Sequence, residues 1–222
     1  MTPAARLHGD AAARRPGAPH NAGMHIAILT FQGFNELDSF IALGVLNRIK
    51  APGWRVTICC PEPRVTSMNG VTVEAQSTLE EAASADAVIV GSGMQTREVV
   101  ASDALMARIR LDPARQLIAA QCSGTLVLAR LGLVDGVPAC TDLSTKPWVQ
   151  AAGVEVLDQP FFARGNVATA GGCFASPYLA AWIIARTQGW EAAEAALHYV
   201  APVGEKAAYV ANAVQRIRPW VA

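Results

Sequence analysis

A cysteine held between a strand and a helix is positioned to act as a nucleophile, and residues 115–132, RQLIAAQCSGTLVLARLG, contain one. The apolar run 116–120 reaches Gln121-Cys122-Ser123-Gly124 and gives way to Thr125-Leu126-Val127-Leu128-Ala129, whose apolar residues have helical spacing. This pattern predicts strand, sharp turn and helix, with Cys122 on the turn. Such a thiol faces the free backbone N–H groups and positive dipole end of the helix, which favour a thiolate and suit an oxyanion. The alternative for Cys122 is a small buried hydrophobe, a common fate of free cysteines.

The surrounding elements decide what can meet that thiol. Residues 25–31, HIAILTF, predict a buried first strand, followed by a turn at 33–35 and a helix over 36–50. A second strand is expected over 54–60, a hairpin over 65–73 with Asn69-Gly70 at its turn, and a strand over 87–90 ending at Gly91-Ser92-Gly93. One helix is expected over 97–111. Beyond the elbow, short strands are expected at 138–141 and 154–157, with a helix over 145–152 between them. A hairpin over 161–170, helices over 176–188 and 190–199, and a tail follow. Strands alternating with helices give an α/β fold whose mostly parallel sheet is covered on both faces. Ligands of such sheets bind outside the carboxyl ends of the strands. Four stretches converge there: residues 33–38, Gly91-Ser92-Gly93, the Cys122 turn, and Thr141-Asp142.

At 222 residues, 52% hydrophobic and only 16% charged, the chain has the means to bury a full core. Lys plus Arg balance Asp plus Glu at 18 each, so no global field points to nucleic acid or to an anionic membrane, and a small-molecule substrate fits better. No apolar run is long enough to span a bilayer. The five cysteines, Cys59, Cys60, Cys122, Cys140 and Cys173, lack paired zinc-site spacing, so no metal is expected. Cys59 and Cys60 point to opposite faces of one strand, and Cys140 and Cys173 read as packed core residues. No secretory signal is visible, which places the protein in the cytoplasm. Residues 1–23 are rich in Ala, Pro, Gly and Arg and read as a disordered extension to a single domain over 24–222.

The motifs together resemble the DJ-1/PfpI superfamily. They are Leu37-Asp38 on the first helix, the Gly-rich turn after a middle strand, Cys122-Ser123-Gly124-Thr125 with Leu131-Gly132-Leu133 and Gly136 behind it, and Thr169-Ala170-Gly171-Gly172. Within it, the chain is most similar to the isonitrile hydratase-like branch. The resemblance implies a flavodoxin-like three-layer sandwich, a homodimer, no cofactor, Cys122 as nucleophile and Asp38 as the carboxylate reaching it. It also implies an assisting role for Ser123 and an oxyanion site from the N–H groups of Gly93 and Ser123, with Thr141 and Asp142 nearby.

On that reading the thiol adds to the terminal carbon of an isonitrile while Asp38 protonates it, and water releases an N-substituted formamide. Ser123 orients the water or the carboxylate, or else simply caps its helix. Glu36 is the competing carboxylate. Relatives of the protease and glyoxalase types carry a histidine after the cysteine or one strand later, whereas this chain has Ser123 and Asp142 there. A Cys-His dyad is therefore not expected, and Asp142 is expected to point inward. The rival reading is a non-catalytic thiol sensor or protective protein in which Cys122 is oxidised beside a carboxylate.

Overall fold

Residues 23–221 are described in the computed structural model of the chain. The predicted extension lies, apart from Gly23, outside them. The elements run β1 (His25–Leu29), α1 (Glu36–Leu46), β2 (Arg55–Cys60), β3 (Arg64–Thr66), β4 (Thr72–Glu74), β5 (Ser77–Thr78), β6 (Ala87–Val90), α2 (Thr96–Ala101) and α3 (Asp103–Met106). They continue as β7 (Leu117–Gln121), α4 (Gly124–Arg130), α5 (Lys146–Ala151), β8 (Phe161–Arg164), β9 (Val167–Ala170), α6 (Ser176–Gln188), α7 (Trp190–Val200) and α8 (Lys206–Ile217). Seven strands form the main sheet in the order β5-β2-β1-β6-β7-β9-β8. All neighbours pair in parallel except β8 with β9, while β3 and β4 form the small antiparallel hairpin expected around Asn69-Gly70.

The central strands are apolar throughout because both faces of the sheet are covered. In β1, Ile26 and Ile28 enter the core shared with α1, α6, α7 and α8, whereas Ala27 and Leu29 enter the opposite core shared with α4. Cys59 and Cys60 divide between the two cores in the same way, as expected for adjacent strand residues. The chain leaves β1 for β2 on one side and reaches β6 on the other, so strand order reverses between β1 and β6. The loops following those strands meet at this switch point, where Phe34 and Gly93 form an isolated bridge.

Three local expectations need correction. The helix predicted over 97–111 breaks in two, because Ser102 is extended and its hydroxyl accepts the Leu105 N–H to start α3 afresh. The strands predicted at 138–141 and 154–157 amount to one bridge, Ala139 to Val156. The predicted tail contains α8, whose Ala213 and Ile217 are buried against the first core. The two-residue edge strand β5, paired with β2, is an addition to the elements expected from the sequence. Among the described residues, no helix is long and apolar enough to cross a membrane.

Candidate active site

Strand β7 delivers the chain to Cys122, the one described non-glycine residue with positive φ, at +47°. Two neighbours fix this left-handed bend. The Cys122 N–H donates to Ala170 O at 2.8 Å, and the Thr141 hydroxyl donates to Cys122 O at 2.7 Å. Gly124 then lets α4 pass the sheet: a Cβ there would sit 2.4 Å from Val90 O.

Asp38 meets the thiol from the first turn of α1. It is 1% exposed, and its Oδ2 accepts the Ser92 hydroxyl from the loop after β6, while Oδ1 has no hydrogen-bond partner. A carboxylate oxygen of Asp38, Cys122 Sγ and Cys173 Sγ all lie within 4.8 Å of one another. Among the described residues, this group places ligand-type atoms closely enough to hold a metal ion. Each sulfur receives one amide: Gln121 Nε2 donates to Cys122 Sγ at 3.3 Å, and Asn35 Nδ2 donates to Cys173 Sγ at 3.2 Å. Gln121 Nε2 also donates to Gly172 O at 2.7 Å, and its Oε1 is unpartnered.

The electrostatics differ from the expectation of a ready thiolate. Burial pushes the Cys122 thiol well above its ordinary range, and the Asp38 carboxylate adds to that, outweighing the amide of Gln121. Burial likewise raises Asp38, against the opposing pull of the Ser92 hydroxyl and the nearby Cys173 and Cys122 thiols and with a further push from Asp142. Both shifts disfavour the charged forms, so the site does not present a standing thiolate.

The expected site residues separate under this geometry. Glu36 does not compete for the thiol, because the hairpin holds it: it accepts the Ser67 hydroxyl and, at 2.9 Å, the Asn69 amide. Ser123 neither orients Asp38 nor caps α4. Its Oγ accepts the Gly93 N–H at 3.1 Å and lies 2.7 Å from Thr96 Oγ1, which fastens the elbow to the glycine turn. The Gly93 N–H is thereby occupied, not free for an oxyanion. The Thr141 hydroxyl likewise serves the elbow backbone. Asp142 is half-buried and uses Oδ1 to accept the Thr145 N–H at 2.9 Å, closing the turn before α5 instead of bonding the thiol. Thr141 and Asp142 do line, with Leu143, Lys146, Gly171 and Gly172, a crevice of about 390 Å³ beside the elbow.

Cys173 is not the packed core residue that the sequence leads one to expect. It is partly exposed and opens the short 3-10 turn Cys173–Ala175 directly after the glycine pair. Its signal was position: it immediately follows Thr169-Ala170-Gly171-Gly172, a motif already assigned to the site. Gly171 in turn allows a close approach, since a Cβ there would lie 2.2 Å from Thr141 O.

Comparison with known proteins agrees with this architecture. A family model described as the DJ-1/PfpI family matches residues 24–186. No curated protein matches the sequence. A ThiJ/PfpI family protein from Pseudomonas syringae superposes with a TM-score of 0.71 at 18% identity, over 94% of this chain and 95% of that one. A DJ-1 superfamily protein from Salmonella typhimurium gives 0.69 at 26% identity, over 81% and 99%. Toxoplasma gondii DJ-1, solved in an oxidised form, gives 0.68 at 20% identity, over 80% and 98%. With the family model covering most of the described fold, the chain belongs to the DJ-1/PfpI family.

Proposed function

We propose that the protein is a cysteine-dependent enzyme that hydrates a small electrophile, most concretely an isonitrile to an N-substituted formamide. The observation that carries this reading is the buried Asp38 carboxyl beside Cys122, with one oxygen left unpartnered. An isonitrile carbon has both a lone pair and an empty acceptor orbital, so it takes a proton and a nucleophile at the same atom. A neutral thiol sharing its proton with a carboxyl suits that demand, and no standing thiolate is needed.

Sulfur of Cys122 bonds the isonitrile carbon as Asp38 delivers the thiol proton to it, giving a thioimidate, R–N=CH–S. Asp38, again ionised, takes a proton from water as its oxygen attacks that carbon. Asp38 passes that proton to nitrogen, the C–S bond breaks as the hydroxyl of the intermediate gives its proton to sulfur by way of the carboxylate, and the formamide leaves with the thiol and the carboxylate restored. Ser92 holds the carboxyl in place through its hydroxyl.

On this reading the protein acts in the cytoplasm, where its five free cysteines suit a reducing environment. It works as a homodimer. Support for the dimer is an apolar groove lined by Phe40, Ile41, Phe174, Tyr199 and Val200, in which Phe174 is 80% and Tyr199 67% exposed. Light scattering is expected to give a dimer mass for the wild type and a monomer for Tyr199→Glu.

The test is formamide production from a simple alkyl isonitrile. Turnover that Cys122→Ala abolishes supports the reading, and none above the blank sinks it for that substrate. The sensor alternative gains from one observation, the second thiol at Cys173.

A further inference from the structure

We infer that Cys122 and Cys173 form a reversible intramolecular disulfide in response to a hydroperoxide, with Asp38 relaying the proton. This inference concerns the same thiol as the hydration reading but does not depend on it. Three observations carry it. The two sulfurs and a carboxylate oxygen of Asp38 stand within 4.8 Å of one another. Each sulfur has its own amide donor, Gln121 for Cys122 and Asn35 for Cys173, an arrangement suited to sulfur carrying negative charge during exchange. The unpartnered Asp38 Oδ1 is a buried acceptor at the same place.

Roles follow from access and mobility. Cys173 is partly exposed, whereas Cys122 is 4% exposed, so a peroxide reaches Cys173 first. Cys173 sulfur attacks one peroxide oxygen and the O–O bond breaks. Sulfur is oxidised to the sulfenic acid, and the other oxygen leaves as an alcohol, or as water from hydrogen peroxide, carrying the thiol proton. Cys122 sulfur then attacks the Cys173 sulfenic sulfur. Asp38 takes the Cys122 proton and passes it to the departing hydroxide, so the S–S bond forms as water leaves. Two thiols and one hydrogen peroxide thus give one disulfide and two waters.

The sulfurs must close to about 2 Å for that bond. Cys122 is held between β7 and α4, so Cys173 makes the movement. It follows Gly172, whose φ is +87° and around whose Cα a side chain would meet nothing within 4 Å. The bond would remove the nucleophile from service without carrying it to irreversible acids, and a dithiol would return it.

The test treats the purified full chain with stoichiometric hydrogen peroxide, blocks free thiols with iodoacetamide, and maps peptides by mass spectrometry. The expected result is a Cys122–Cys173 cross-linked pair that dithiothreitol separates, with Cys59, Cys60 and Cys140 still alkylated under denaturant. Cys173→Ser is expected to lose the cross-link and leave Cys122 as an alkylatable thiol, whereas Cys122→Ser is expected to leave sulfenic or higher acids on Cys173. Wild-type peptides carrying only separate sulfenic or sulfinic acids, or a cross-link between two chains, would overturn the inference. Because the readout is covalent, failure of isonitrile hydration leaves it standing, and its failure leaves hydration untouched.

Discussion

At the amino ends of the central strands, His25 bonds Asp86 Oδ2 through its backbone at 2.8 Å and Thr57 Oγ1 through Nε2 at 2.7 Å. Gln116 donates to Ala82 O and Ala85 O at 2.8 Å each and accepts the Asp112 N–H at 2.9 Å. At the carboxyl ends of the same strands, three buried side-chain atoms have no partner among the described residues: Asp38 Oδ1, Ser39 Oγ and Gln121 Oε1. Both ends bury polar groups, but the amino end satisfies them. Unpaired buried polar atoms cost stability, so their collection at one end marks the place where something other than folding has set the residues.

That contrast is open to direct attack. At the carboxyl end, Cys122→Ala is expected to remove formamide production altogether, and Asp38→Asn to lower it by about a hundredfold or more. Melting should show the opposite sign. Since Asp38 is raised by burial, the folded state binds its proton more tightly than the unfolded one, and stability falls as pH rises through the ordinary carboxylate range toward the raised value. Asp38→Asn therefore melts at a higher temperature than wild type at neutral pH. A lower melting temperature would contradict a strained, functional carboxyl.

At the amino end the outcome reverses. Gln116→Leu strands two carbonyls and an N–H and is expected to cost about 3 kcal/mol by denaturant unfolding, with turnover per folded molecule unchanged. Ser123→Ala tests the boundary between the two regimes. Its hydroxyl serves the glycine turn, so a loss of about 1 kcal/mol with little change in turnover is expected. A large loss of turnover at full stability would restore the direct role that the sequence suggests. The smallest effect is general. Burial pushes the Cys60 and Cys140 thiols up to about 12, so the unfolded chain releases their protons first as pH rises. Melting temperature should decline above about pH 9, where unfolded thiols ionise, and Cys140→Ala should flatten that slope.

The sequence conveys the elbow well because three signals coincide at residues 116–129: an apolar run, an abrupt change of period, and Gly124 where a Cβ would strike Val90 O. It conveys Asp38 only through family resemblance, since an acid in the first turn of a helix is ordinary on physical grounds alone. It misleads on Ser123, whose partners Gly93 and Thr96 lie a long way off along the chain and become neighbours only when β6 and β7 pair. Cys173 is hidden for the same reason, because its approach to Cys122 depends on β9 lying beside β7. Helix α8 is a different case: Val210, Ala213, Val214 and Ile217 recur at helical spacing, so this element was legible locally and its burial of Ala213 and Ile217 follows from that stripe. For Ser123 and Cys173, long-range pairing and not local propensity separates what could be read from what could not.

The positive φ of Cys122 also bears on how this position can change over generations. A side chain in that region costs roughly 1–2 kcal/mol that glycine does not incur. Cys122→Gly should thus be the more stable of the two small replacements, ahead of Cys122→Ala. In a descendant lineage freed from any need for the thiol, drift at this site would run toward glycine. A cysteine kept here against that gradient is a record of selection for its sulfur, and sequences from neighbouring lineages could be sorted into active and relinquished forms by this one position.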